Sequence, residues 1–466
     1  MKNLKRSRNV IYFIYLPILL NFVLNLYSSF QPKTLSDINF YNLISTFLLF
    51  TFLFCVGKLI KDAVNLVYVS TGIVIYLLSF FLLDNLILFF YTDLNFKNLF
   101  ISVNILWLVY LLIFKKEYLN CFAATGLIYA LNFYNHNFLN YLSIDKNIIG
   151  DVKDIHYTHV KNIYEVSYYY SMNNATLEGY PQLVAYIQSL LSIISFSSNN
   201  FYHLKSSINV LILLFILFFL ESALSEKSRF VVILLFVSLI FNSQWLKFIF
   251  IDSLMTEGIL SYIFFVLFVS CLKTTKSTLA NSKLIFFSFG LLYIGKQFIS
   301  TLSLVIIFIY LFKNEHRKNA LFGLFGVFLK EMSSITYFKN IQKNYHLKEV
   351  DLLDTFLDLI LLRDLKLTNI TVIFRNLMTD VPISLIFFYF LLFSIFYLFW
   401  SKNKKTETNL LLFVIAFNFI LIFSLYITLW RNMELESPIR YMLNLLPVIL
   451  YFQFKLIDQE LWSHKK

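Results

Sequence analysis

Long apolar runs separated by short polar gaps set the pattern of this chain. The first run covers 10–29, behind Lys2, Lys5, Arg6 and Arg8, and others follow at 40–57, 63–91, 99–114 and 119–134. They bracket the roughly 20 apolar residues that carry a helix across a bilayer core. The runs are continuous rather than alternating with period two, so the pattern predicts helices and excludes an outer-membrane barrel. The first run is too long for a signal-peptide core and lacks a small-residue cleavage site. It is expected to be a retained anchor with a cytoplasmic N-terminus.

The gaps alternate in charge. Lys58/Lys61 and Lys115/Lys116 belong inside, and the sparsely basic 30–39 and 92–98 outside. The fifth run therefore ends on the outer face, where the long polar stretch 135–180 follows. The next apolar segment, 181–196, is short and is interrupted by Gln182 and Gln188. Counted as a span, it would put Lys227/Arg229, Lys273/Lys276/Lys283 and Lys313/Arg317/Lys318 outside. Counted as an interfacial or re-entrant helix it keeps them all inside, and this second count is adopted. Spans are then expected at 206–224, 230–247 and 254–272, followed by two half-length helices over 284–312 broken at Gly295-Lys296-Gln297, and a span at 319–336. A second outer loop, 337–380, has Asp351, Asp354 and Asp358 among Leu and Phe at helical spacing, the mark of a helix lying on the membrane surface. Runs at 381–400, 409–429 and 441–457 close the chain, with Lys402/Lys404/Lys405 and Lys465/Lys466 inside.

The expected fold is thus an all-α, polytopic integral membrane protein of about 13–14 transmembrane helices, with outer-face loops carrying short interfacial helices. Both termini would be cytoplasmic. Residues 1–118 would form an N-terminal group of four transmembrane helices and 119–457 a larger module with outer loops 135–205 and 337–380. Residues 458–466 would be a cytoplasmic tail. No internal repeat of the transporter kind is evident.

Composition narrows the class further. Of 466 residues, 59% are hydrophobic and only 14% charged, against about 25% charged in soluble domains. The net charge of +12 would suggest nucleic acid in a soluble protein. Here the cations sit in the gaps between apolar runs, so the implied partners are membrane lipids and not nucleic acid. Cys55, Cys121 and Cys271 all fall in apolar runs, so no disulfide framework is implied. With 55 Phe and 30 Tyr in the chain, single aromatic positions carry little weight.

Candidate chemistry concentrates in the first outer loop. Asp151, Lys153, Asp154, His156, His159 and Lys161 fall within eleven residues, and Glu178-Gly179-Tyr180-Pro181-Gln182 follows. Such a group can supply a general base, a proton partner and phosphate contacts together. It can equally be a solvated loop whose charges do nothing. Asp151, Asp154, His156 and His159 are also where a divalent metal could bind, although no tight ligand spacing marks a site.

Asp154, His159 five positions later, and then Tyr180-Pro181 before apolar residues resemble the polytopic glycosyltransferases of the GT-C class. Thr158 stands where the bacterial members of that class carry a Tyr. Asp252 and Glu257, within 242–258, resemble the class's acid-bearing segment at the outer end of a span. Gly295-Lys296-Gln297 resembles its Lys-bearing turn. Pro438-Ile439-Arg440-Tyr441, followed by Pro447, resembles its late Arg-Tyr segment. The resemblance covers about 119–457 and leaves the first four spans without chemistry. It implies sugar transfer from a polyprenyl-phosphate donor to a glycan, lipid or protein acceptor on the outer face of a bacterial inner membrane. In that scheme Asp154 is the catalytic base, with Asp151 as its rival and His159 beside it. Lys296 and Arg440 hold the donor phosphate, and Gln297, Tyr180, Glu257, Asp252, His156 and Lys161 line the substrates.

Each residue has a plainer role open to it. Lys296 can snorkel to headgroups, Arg440 can pair with Glu434 or Glu436, and His159 can brace its loop. Two other classes compete: an O-antigen-type polymerase or ligase, and a lipid or solute transporter. The first usually has several arginines near its large outer loop, and 135–180 has none. The second would carry ionisable groups at mid-membrane and repeat symmetry.

Overall fold

The structure is a computed structural model. It describes chiefly 96–115, 224–247, 378–400, 406–428 and 442–459, with scattered positions over 56–86, 216–219, 258–269 and 361–375. Every element among the described residues is helical. These are α1 (Phe96–Tyr110), which runs on into a π-helical turn at Leu111–Lys115, α2 (Glu226–Asn242), α3 (Gln244–Lys247), α4 (Val381–Trp400), α5 (Thr406–Thr428) and α6 (Leu446–Ile457). They fall into two compact units. One takes in 219–251 and 348–466 and holds α2 to α6; the other takes in 32–218 and 252–347 and holds α1.

In the first unit α6 is the hub. It packs on α2, α4 and α5, and all twelve of its residues are buried, Gln453 and Lys455 included. A helix apolar on every side is one that others surround. Its start is set locally. Pro447 occupies the first turn, where a missing N–H costs nothing and the fixed φ favours entry. The expected run 441–457 therefore does not form one helix, because Asn444 and Leu445 form a turn ahead of Leu446.

The expected run 230–247 also divides. α2 starts earlier, at Glu226, because Ser225 is an N-cap whose side chain accepts from the Ser228 N–H. It ends at Ser243, whose extended backbone (φ −86°, ψ 125°) interrupts the helix. The Ser243 hydroxyl then accepts from the Leu246 N–H at 3.0 Å and so starts the short α3.

Helix directions in this unit follow from bonds at its two ends. At one end, Asp458 beyond α6 accepts from the Ser225 N–H and hydroxyl, both at 2.8 Å, and from the Ser228 hydroxyl. At the same end Thr408 of α5 bonds Gln459 at 3.1 Å, and Tyr397 of α4 donates to Asn409 of α5 at 2.8 Å. At the other end Ser243, after α2, donates to Asp380, before α4, at 2.7 Å. So the start of α2, the end of α4, the start of α5 and the end of α6 lie together. Helices α2 and α5 run one way, α4 and α6 the other. Aromatic pairs fill the space between: Phe387 and Phe390 on Phe419, and Phe390 on Phe452, with centroids 5.3–6.0 Å apart.

In the second unit α1 packs against the helical residues Tyr76, Ser79 and Phe80. Tyr76 donates to Asn104 at 3.0 Å, and Phe80 packs on Phe100 at 5.8 Å. The two pairs step in opposite directions along the chain, as in an antiparallel hairpin. Trp107 donates to Ser79 at 3.2 Å and closes the same interface.

Among the described residues one helix is long and apolar enough to cross a membrane: Val381–Phe399, with a mean hydropathy of 2.3. Shorter apolar helices are Asn98–Phe114, Thr408–Ile420 and Leu446–Ile457. The outward face of α4 is apolar. Phe388, Leu391, Leu392, Ile395 and Phe399 of α4 are exposed, the last at 76%.

Candidate functional site

Asp380 joins several elements at one helix end. It follows Thr379 and precedes Val381-Pro382, an acidic N-cap with Pro in the first turn. One side-chain oxygen accepts from the Ser243 hydroxyl at 2.7 Å and the Trp245 N–H at 3.4 Å; the other accepts from the Ile383 N–H at 3.3 Å. The side chain is 6% exposed. Its lone pairs are taken by helix ends, so Asp380 joins α2–α3 to α4 rather than offering a base to a substrate.

Asp458 plays the same part at the opposite end, between α2 and α6. Between the two ends Gln453 donates across to the Ile386 carbonyl at 3.0 Å. These polar groups are structural bolts in an apolar packet. Neither Asp380 nor Asp458 stands out in the sequence, since each borders an apolar run and resembles an ordinary gap residue. The acid-Val-Pro order at 380–382 is the signal that could have marked the first.

Every residue expected to carry chemistry lies outside the described residues: Asp151, Asp154, His156, His159, Lys161, Tyr180, Asp252, Glu257, Lys296, Gln297 and Arg440. So do the three cysteines. The nearest described neighbours are Gly258, helical and buried one residue after Glu257, and Met442, buried two residues after Arg440. Among the described residues no group of three or more His, Cys, Asp or Glu is placed to hold a metal.

No protein-family model, curated protein or solved structure matches the chain.

Proposed function

We propose that the chain is a polytopic membrane glycosyltransferase of the GT-C kind. It would move a sugar from a polyprenyl-phosphate donor to a glycan, lipid or protein acceptor on the outer face. The observation that carries the proposal is the order of acid-His, Tyr-Pro, acid-bearing, Lys-turn and Arg-Tyr segments in stretches that charge alternation puts on that face.

Two features of the folded chain support the membrane part. An aqueous surface would have to hydrate the exposed row Phe388, Leu391, Leu392, Ile395 and Phe399, whereas lipid would not. Lys227 and Arg229 also share an end of the first unit with Trp400 and Thr406, which flank the Lys402/Lys404/Lys405 segment. Ser243, Asp380 and Thr428 are at helix ends of the opposite polarity. Alternating charge requires that pairing of ends.

The mechanism follows from where the reactants must be. A polyprenyl donor keeps its tail in the bilayer and its phosphate at headgroup level. Asp154 takes the proton of the acceptor hydroxyl as its oxygen attacks the anomeric carbon, for a rate gain of about 10²–10⁴. The bond from sugar to phosphate breaks, and Arg440 and Lys296 stabilise the departing phosphate, the first as a planar fork and the second as a point charge. The test is to isolate membrane glycolipids and surface glycans from cells with and without the gene. A sugar missing from one product in the deletion is expected; identical profiles would remove the transferase.

A further inference from the structure

Thr371, Phe374, Arg375 and Met378 are helical and exposed, and the chain bends at Asp380 before α4 begins. At about 100° per residue these four share one stripe of the helix, with Phe374 at one edge and Arg375 at the other. Met378 between them is 67% exposed. Among the described residues no carboxylate pairs with Arg375. The segment does not extend α4. A straight continuation would carry Phe374 about 10 Å beyond Val381, yet its ring lies 5.9 Å from that of Phe423 in α5. Phe419 is level with Phe387 and Phe390 of the antiparallel α4, so Phe423, one turn further on, is level with the start of α4. The chain therefore turns back at Asp380, and the stripe lies beside the last turns of α5.

We infer that this stripe is an interfacial surface: Phe374 and Met378 enter the acyl boundary while Arg375 holds the phosphate of a phospholipid headgroup. Charge and polarity together select the occupant. A phosphodiester offers two oxygens in the plane that an unpaired guanidinium fork matches, and the apolar edge beside it calls for acyl chains. A free phosphate or a soluble acidic peptide would satisfy Arg375 and leave Phe374 and Met378 in water. A helix of this mixed character lies in the membrane plane at headgroup level, where the Arg stem runs along apolar surface and its head reaches the phosphates. The inference rests on the membrane reading proposed above, in which the start of α4 faces outward.

The experiment uses the full chain with Cys55, Cys121 and Cys271 replaced, in vesicles of phosphatidylglycerol and phosphatidylethanolamine. Met378→Cys carries a nitroxide, and Leu391→Cys on the exposed face of α4 carries the reference label. Collision with oxygen, against collision with a water-soluble nickel chelate, reads the depth of each label. Oxygen-favoured collision is expected at both, with Leu391 the deeper. Arg375→Gln should lower the ratio of docked to undocked Met378 label roughly fivefold, the loss of one interfacial cation. Arg375→Lys should keep most of that ratio, and inorganic phosphate in excess should not release the label. Nickel-favoured collision at Met378 alone would overturn the interfacial surface; at both positions it would overturn the membrane reading beneath it. An unchanged ratio in Arg375→Gln would remove the phosphate contact, and release by inorganic phosphate would overturn the lipid as its source.

Discussion

Replacing Asp380 with Ala should loosen the joint between α2–α3 and α4 more than any other single change among the described polar groups. The substitution removes an N-cap, worth about 1 kcal/mol, and hydrogen bonds to a charged acceptor, worth about 1.5–3 kcal/mol. It also leaves the Ser243 hydroxyl, itself buried, without its acceptor. A total of about 3 kcal/mol is expected. Ser243→Ala alone should cost about 2 kcal/mol, because it loses both the bond to Asp380 and the cap on the Leu246 N–H while Asp380 keeps its bonds from Trp245 and Ile383. The assay is unfolding in mixed micelles followed by circular dichroism, for wild type, both single variants and the double variant. A coupling of about 1–2 kcal/mol is predicted for the pair. Coupling below about 0.5 kcal/mol would refute the contact, and with it the antiparallel placement of α2 and α4.

Gln453→Leu should cost about 0.6 kcal/mol in the same assay, the average for an interhelical hydrogen bond in a membrane; a gain in stability would deny the bond to Ile386. With Cys55, Cys121 and Cys271 replaced, single cysteines at Ser171 and Ser401 should react with an impermeant thiol reagent from opposite sides, and equal labelling from outside would break the topology. Arg440→Lys should weaken donor use more than Lys296→Arg, because only the first loses a planar fork. Unchanged donor affinity in both alanine variants would remove these residues from the phosphate.

Much of the helical pattern is legible in apolar runs, and the misjudged ends have local causes. At 381–400 the run and the helix coincide, since Asp380 and Pro382 start the helix where hydropathy rises. At 230–247 and 441–457 hydropathy continues through Ser243 and Asn444-Leu445. The breaks there come from a serine capping the next helix and from a proline that can only begin one. Hydropathy is a sum over side chains and does not register such backbone events. The bolts at Asp380 and Asp458 are hidden for a second reason: their partners are 137 and 233 residues away in sequence. The acid-His cluster is legible only as residue types and spacing. Its geometry lies outside the described residues, and the long polar loop that holds it has no periodicity from which positions could be derived.

The most direct measurement compares Asp154→Asn with Asp151→Asn in a glycan-product assay at matched membrane levels. Asparagine keeps the size and hydrogen-bonding shape of aspartate and removes its basic function, so both variants should insert normally. Transfer should fall by about two or more orders of magnitude for Asp154→Asn and far less for Asp151→Asn. Activity lost only in the Asp151 variant would move the base three residues upstream. Full activity in both would contradict sugar transfer at this loop.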